Sequence, residues 1–157
     1  MNFIREGDDS LQNHIPPLKA FEAVGQIPTL KEPMLLGDFV LWLEQRPDEG
    51  GRTTALIRPW MQIDCEPQEL TPAPIDLKTR IHGYGGGAFT ASKQGKLIVI
   101  CWVNACNGCL WLQHWIENDK NTINRFNYLK ALKEPICLSK KEKFYLAGGL
   151  IDRKRNR

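Results

Sequence analysis

The stretch RIHGYGGGAF, residues 80–89, sets four glycines within five positions beside an arginine and a histidine. Two readings compete for it. Gly83, Gly85 and Ala88 fit the spacing G-x-G-x-x-G/A, in which glycine backbone approaches a pyrophosphate seated on a helix N-terminus. That chemistry needs a helix to open directly after the loop, because free N–H groups and the helix dipole hold the phosphate. Residues 88–103 instead carry Thr90, Ile98, Val99, Ile100 and Val103 and have the character of strands. The glycines are therefore expected to serve backbone geometry: a positive φ, a bulge, or a close approach of strands that a Cβ would block.

Strand signals surround the cluster on both sides. DFVLWLEQ (38–45) is an apolar run rich in β-formers, stopped by RPDEGGR, whose Pro47, Gly50 and Gly51 read as a hairpin loop before RTTALIRP (52–59). EPQELTPAP holds three prolines and suits only an edge strand or an extended connection. After the glycines, GAFTAS (87–92), KLIVICWVN (96–104) and CLWLQHW (109–115) follow at hairpin spacing, the last two joined by a turn at Asn107-Gly108. EPICLS and KFYLAGGLID add two short extended segments. Short strands every 8 to 12 residues suggest a sandwich, a barrel or propeller blades.

Two segments break this pattern. HIPPLKAFEAVGQIPTLKEP (14–33) is proline-punctuated, with Leu18, Phe21 and Val24 spaced for at most two helical turns, and reads as a lead-in. The expected division is a lead-in over 1–33 and a β domain over 34–157. In 117–133, Ile123, Phe126 and Leu129 at three-residue steps after Asn121 suit a short helix.

Composition narrows the function classes. With 157 residues, 42% hydrophobic and 25% charged, the chain is expected to fold as one globular domain. No run approaches about 18 apolar residues, and MNFIREGDDSLQNH carries three acids, so neither a membrane span nor a secretory signal is expected. A cytoplasmic location follows as the expectation. The net charge is +3, yet residues 140–157 alone hold seven Lys/Arg against Glu142 and Asp152, so the rest of the chain is net negative. A nucleic-acid partner, which would want a basic face interleaved with aromatics, is not expected.

At residues 80–89 the chain resembles a known family. RIHGYGGGAF is similar to the signature R-V-H-E-Y-G-G-G-A-[YF] in the propeller domain of the prolyl oligopeptidase family, above all its acylaminoacyl-peptidase-like and dipeptidyl-aminopeptidase-like members. LWLEQRPDEGGRTTALIR resembles the opening blade, ELTPAPIDLKTRIHGYGGG the stretch leading into the signature, and GGLIDRKRNR a later D-G-x-I-D-x-x-R-x-R. The likeness spans 15–115 and 134–157. It implies a multi-bladed β-propeller N-terminal to an α/β-hydrolase domain, together forming a serine peptidase, with this chain as its truncated beginning. It implies a structural motif of Arg80, His82, Tyr84, Gly85, Gly86 and Gly87, with His82 making a structural hydrogen bond near the glycine turn. Two departures stand out. Gly83 replaces the usual Glu and Gly148 the usual acid, which removes any charged hydrogen bond there, each of a kind contributing about 1.5–3 kcal/mol.

Catalysis by this chain alone is not expected. A hydrolase of that kind needs a nucleophile on a G-x-S-x-G elbow, and Ser10, Ser92 and Ser139 sit in DDSLQ, TASKQ and CLSKK. His14, His82 and His114 are scattered.

The cysteines offer the rival reading. Cys101, Cys106 and Cys109 stand as C-x4-C-x2-C with Cys137 farther on, the ligand spacing of plant-type [2Fe–2S] ferredoxins; His114 with the same thiols would suit zinc. Against a metal, Cys101 lies within the strand-like LIVICWV, and Cys106 and Cys109 flank the Asn-Gly turn among three tryptophans. Five cysteines, an odd number, argue against a disulfide framework. Trp42, Trp60, Trp102, Trp111 and Trp115 read as core or blade-packing residues rather than a stacking platform.

The expectation is thus an all-β, incomplete β-propeller of about two blades of antiparallel strands behind a Pro-rich lead-in, without cofactor or catalytic residues. Three function classes remain open: the inactive front piece of a peptidase, a small protein- or peptide-interaction module, or a Cys-ligated [2Fe–2S] or zinc protein. The partner in the first two is a separately encoded peptidase domain or another protein or peptide. An unfinished ring leaves sheet edges and a blade face bare, so self-association is expected unless a partner covers them.

Overall fold

A computed structural model describes residues 19, 27–62, 64–81, 87–118, 127–139, 148–152 and 155. These residues form two antiparallel sheets and one 3-10 turn, with no α-helix among them. The first sheet has the order β1 (Thr29–Leu36), β2 (Phe39–Arg46), β3 (Arg52–Pro59), β4 (Gln68–Glu69). The second runs β5 (Phe89–Gln94), β6 (Leu97–Val103), β7 (Leu110–Glu117), β8 (Leu129–Ala131), with β9 (Ile136–Cys137) also paired to β7. β8 takes Trp115–Glu117 and β9 takes Trp111–Leu112, so the two short strands lie end to end along one edge of β7. Neither sheet closes on itself among the described residues. The all-β, partial propeller-like architecture read from the sequence is the one observed.

The hairpins sit where the turn chemistry placed them. Arg46 pairs with Arg52 across the 3-10 turn Pro47–Glu49, and Gly51 N donates to Arg46 O at 2.9 Å. Asn104 N donates to Cys109 O at 3.1 Å and Gly108 N to Asn104 O at 2.8 Å, closing the β6–β7 turn. β4, from the proline-rich EPQELTPAP, is the edge strand expected there.

Period-two alternation then builds the core. Phe39, Leu41 and Leu43 point to one side of β2, opposite Ile57 and Ala55 of β3; Ile98, Ile100 and Trp102 of β6 lie opposite Trp115 and Trp111 of β7. These two faces, with Leu36, Leu70, Leu77, Phe89, Tyr128 and Leu129, form one buried cluster shared by both sheets. The link between them is pinned at Asp76 and Leu77: Thr53 N donates to Asp76 Oδ1 at 2.8 Å, Leu77 N to Thr53 O at 2.9 Å, and Ala105 N to Asp76 O at 2.8 Å.

Two sequence expectations need adjustment. β1 starts at Thr29, inside the stretch read as lead-in. Its alternation was masked because Glu32 and Pro33 form an irregularity between Lys31 and Met34, with Glu32 at φ 49, which places the proline on an edge strand where its missing N–H costs no ladder bond. Leu129, counted toward a helix in 117–133, lies in β8; residues 119–126 fall outside the described set. Of KFYLAGGLID, read as a short extended segment, residues 143–147 lie outside the described residues.

Candidate functional site

Of the motif residues, Arg80 and Gly87 are described, whereas His82, Tyr84, Gly85 and Gly86 lie outside the described residues. Arg80 is exposed. Gly87 has φ 61, the left-handed region that a side chain disfavours. Its N–H donates to Glu32 Oε1 at 3.3 Å and its carbonyl accepts from Gly148 N at 2.9 Å, so it joins β1 to the C-terminal segment. The next element is β5, a strand, and not the helix that a phosphate loop requires.

A concave surface lies on the other side of the second sheet. Thr90 and Ser92 of β5, Val99 and Cys101 of β6, and Leu112 and His114 of β7 all turn away from the core. Leu138 and the segment Gly149–Asp152 border the same face, leaving a groove of about 450 Å³. The floor is largely aliphatic, and burial pushes the Cys101 thiol up from its ordinary range. Sequence reading left His114 among scattered histidines and Ser92 in TASKQ with no elbow; both border the groove with Asp152, and strand parity across the two hairpins is the signal that would have placed Ser92 and His114 on one face. Val99 stands between Ser92 and His114 in register, so their backbones are two strand spacings apart, about 9.5 Å. A nucleophile and its base need hydrogen-bond contact, which adjacent strand positions would favour and these positions do not.

An ionic cluster closes the far end of the first sheet. Arg52, only 10% exposed in its side chain, donates through Nη1 to Thr71 O at 3.0 Å and Ile75 O at 3.1 Å, through Nη2 to Glu69 Oε1 at 2.7 Å, and through Nε to Glu49. Arg46 Nε meets Glu44 at 2.8 Å and its Nη1 meets Glu49 at 2.9 Å. The hydrogen bonds from Arg52 and Arg46 hold the Glu49 carboxyl below its ordinary value. Partial burial works to lower the Arg46 pKa, yet its carboxylate partners outweigh that and raise it. With all three nitrogens of Arg52 bonded to the fold's own carbonyls and carboxylates, the cluster fastens the β2–β3 hairpin to the loop after β4.

The pleat keeps the four cysteines of the metal alternative from converging. Cys101 faces the groove, Cys106 is exposed in the turn, and Cys137, opposite Trp111, points to the core side with Cys109 nearby. Among the described residues, no three His, Cys, Asp or Glu side chains are grouped to hold a metal ion. His114 is on the groove side, away from Cys109 and Cys137. Three of the five tryptophans behave as packing residues: Trp102 is 1% exposed and Trp115 8%, with Trp111 packed against the same core, whereas Trp60 is 51% exposed and does not fill the core as the sequence suggested.

No family model and no curated protein matches this chain. Solved structures do. A Mycobacterium tuberculosis puromycin-hydrolyzing peptidase is 31% identical, with a TM-score of 0.50, over 55% of this chain and 13% of that one. A puromycin hydrolase aligns at 22% identity and TM-score 0.47 over 54% of this chain and 12% of its own, and a mutant puromycin hydrolase complexed with PGG at 19% and 0.48 over 68% and 14%. The chain therefore spans only about an eighth of the proteins it matches. Over about half of its length, this chain is similar to a small portion of the puromycin-hydrolyzing peptidases of the prolyl oligopeptidase family.

Proposed function

We propose that this chain is a non-catalytic β module, a piece of a peptidase-type propeller whose bare faces dock further propeller or a separate peptidase domain. The observation that carries this reading is the outer side of the second sheet, a face rich in aliphatic residues that, among the described residues, is bordered by Gly149–Asp152 and Leu138, with Leu138 at 53% and Leu150 at 87% exposure. Leu35, Trp60 and Met61 are also exposed, on the first sheet and just beyond it. Apolar surface of that kind on a small domain favours association, since burying it gains roughly 25 cal/mol per Å². The likeness to an eighth of a much larger peptidase supports the same view. Peptide hydrolysis then belongs to a domain other than this one. Among the described residues no helix is long and apolar enough to cross a membrane, and a cytoplasmic location is part of the proposal.

The test has two arms. Purified chain is incubated with puromycin and with chromogenic aminoacyl anilides, and its association is followed by sedimentation across a hundredfold concentration range. No turnover above the buffer blank, together with concentration-dependent self-association, is the expected result. Turnover abolished by a fluorophosphonate would overturn the non-catalytic reading, and a concentration-independent monomer with a sharp melt would overturn the docking surface.

A further inference from the structure

The β7–β9 pairing brings two thiols together. Trp111 pairs with Cys137 and Leu112 with Ile136, and Leu138 N donates to Leu110 O at 2.8 Å, so the ladder continues and sets Ser139 opposite Cys109. Ser139 Oγ accepts from Leu110 N at 2.8 Å, which secures that crossing. The Cys137 thiol donates to Ser139 O at 2.8 Å, so its sulfur leans along β9 toward the position facing Cys109. The Cys137 pKa is raised, first by desolvation and then by the neighbouring Cys109 thiol. Cys109 is buried at 6% exposure, whereas Cys137 is exposed.

We propose that Cys109 and Cys137 are a vicinal redox pair that forms an intramolecular disulfide with a small-molecule disulfide as oxidant. Diagonal positions of an antiparallel pair lie about 7–8 Å apart, slightly beyond the span of a relaxed disulfide. β9 is two residues long, with both residues exposed, so a small shift of that strand closes the gap. The exchange balances in two steps. The exposed Cys137 thiolate attacks one sulfur of glutathione disulfide, forming a mixed disulfide and releasing one glutathione thiolate. The Cys109 thiolate then attacks the Cys137 sulfur and releases the second. Two protein thiols are oxidised, one small disulfide is reduced to two thiols, and the two protons pass to the products. Closure fastens β9, and with it Leu138 on the rim of the groove, to β7.

The experiment incubates the full chain with glutathione disulfide and reads free thiols and disulfide-linked tryptic peptides. Lys120, Arg125, Lys130 and Lys133 lie between the two cysteines, so they leave on separate peptides, and fragmentation of peptide 97–120, which also holds Cys101 and Cys106, assigns the linked thiol. Free thiols are expected to fall from five to three per chain, with 109 linked to 137 and the change reversed by dithiothreitol. In Cys109→Ser the resolving thiol is gone, and one glutathione is expected to stay on Cys137. Five thiols persisting, a lasting glutathione adduct on the unmutated chain, or linkage of Cys106 to Cys109 instead would each overturn the proposal. Peptide mapping of the unmutated chain decides the matter even where a variant fails to fold.

Discussion

The side-chain amide of Gln68 clasps the backbone of Leu129: Oε1 accepts from Leu129 N at 2.8 Å while Nε2 donates to Leu129 O at 2.8 Å. The same oxygen accepts from Tyr128 N at 2.8 Å. One polar side chain on the edge strand of the first sheet thus mimics a strand partner for the second. Tyr128 and Leu129 are 0% and 1% exposed, so water is no substitute partner for these amides.

Gln68→Ala removes all three bonds and leaves two buried donors bare. Each orphaned donor costs about 1–3 kcal/mol, and a combined loss of about 2–4 kcal/mol is expected. Gln68→Glu keeps the accepting oxygen, and is expected to lose about half as much. Urea unfolding of both variants checks this. A loss below about 0.5 kcal/mol for the alanine variant would mean that β8 is held by packing alone.

The Arg52 cluster makes a prediction in pH. Glu49 has its folded pKa lowered, chiefly by its hydrogen bond to Arg52 and then by that to Arg46. A depressed carboxyl stabilises the fold above its unfolded pKa, and that contribution drains away as pH falls through the lower folded value. The unfolding midpoints of the native chain and Glu49→Gln are therefore expected to differ at about pH 7 and to converge as pH falls below the ordinary value of 4.5. A gap of constant size would show that Glu49 acts by shape and not by charge. Arg52→Lys is expected to cost about 2–4 kcal/mol despite keeping the charge, because an ammonium cannot span two carbonyls and two carboxylates in one fork.

Local signals made the hairpins legible: apolar, β-forming runs in FVLWLEQ and LIVICWV, each bounded by a glycine turn. Nothing local announces that Gln68 reaches a residue 61 positions away, because a glutamine in a proline-rich stretch looks like any solvated side chain. β8 escaped for the same reason. Its three residues pair at Trp115–Glu117, a contact set by the tertiary fold, while its leucine fits a helical spacing equally well. The groove was half legible. The outward residues of β5, β6 and β7 follow from strand parity, but the contribution of Leu138 and of Gly149–Asp152 depends on where the chain returns. The ferredoxin-like cysteine spacing exists only along the chain, since the pleat sends Cys101 and Cys137 to opposite faces.

Trp102 is 1% exposed at the centre of the shared core, and its indole Nε1 finds no acceptor among the described residues. Its worth is therefore packing, not hydrogen bonding. Trp102→Ala is expected to cost about 3–5 kcal/mol through lost contacts and the cavity left behind. Trp102→Phe also loses volume, but it removes an unpaired buried donor, and the expected net cost is about 1 kcal/mol. Thermal melts of the two variants separate these terms. Equal losses would mean that the N–H has a partner after all.

Gly37 and Lys93 give the sharpest test of how the sheets meet. Gly37 is at φ +64 in the two-residue turn between Leu36 and Phe39, and a Cβ built on it would stand 3.0 Å from Lys93 Cδ and 3.2 Å from its Nζ. Lys93 extends from β5 and is tethered at its far end by Glu117 Oε1 at 2.6 Å, so it is not free to swing aside. Gly95 has a similar φ of +56 with nothing within 4 Å. Gly95→Ala therefore incurs the left-handed strain alone, about 1–2 kcal/mol. Gly37→Ala incurs that and the displacement of Lys93, and should cost about 1 kcal/mol more. In a Lys93→Ala background the excess should vanish, because the obstructing side chain is gone, and a double-mutant cycle measures that coupling directly. An excess that survives the loss of Lys93 would place the strain in the turn itself and not in the contact between the two sheets.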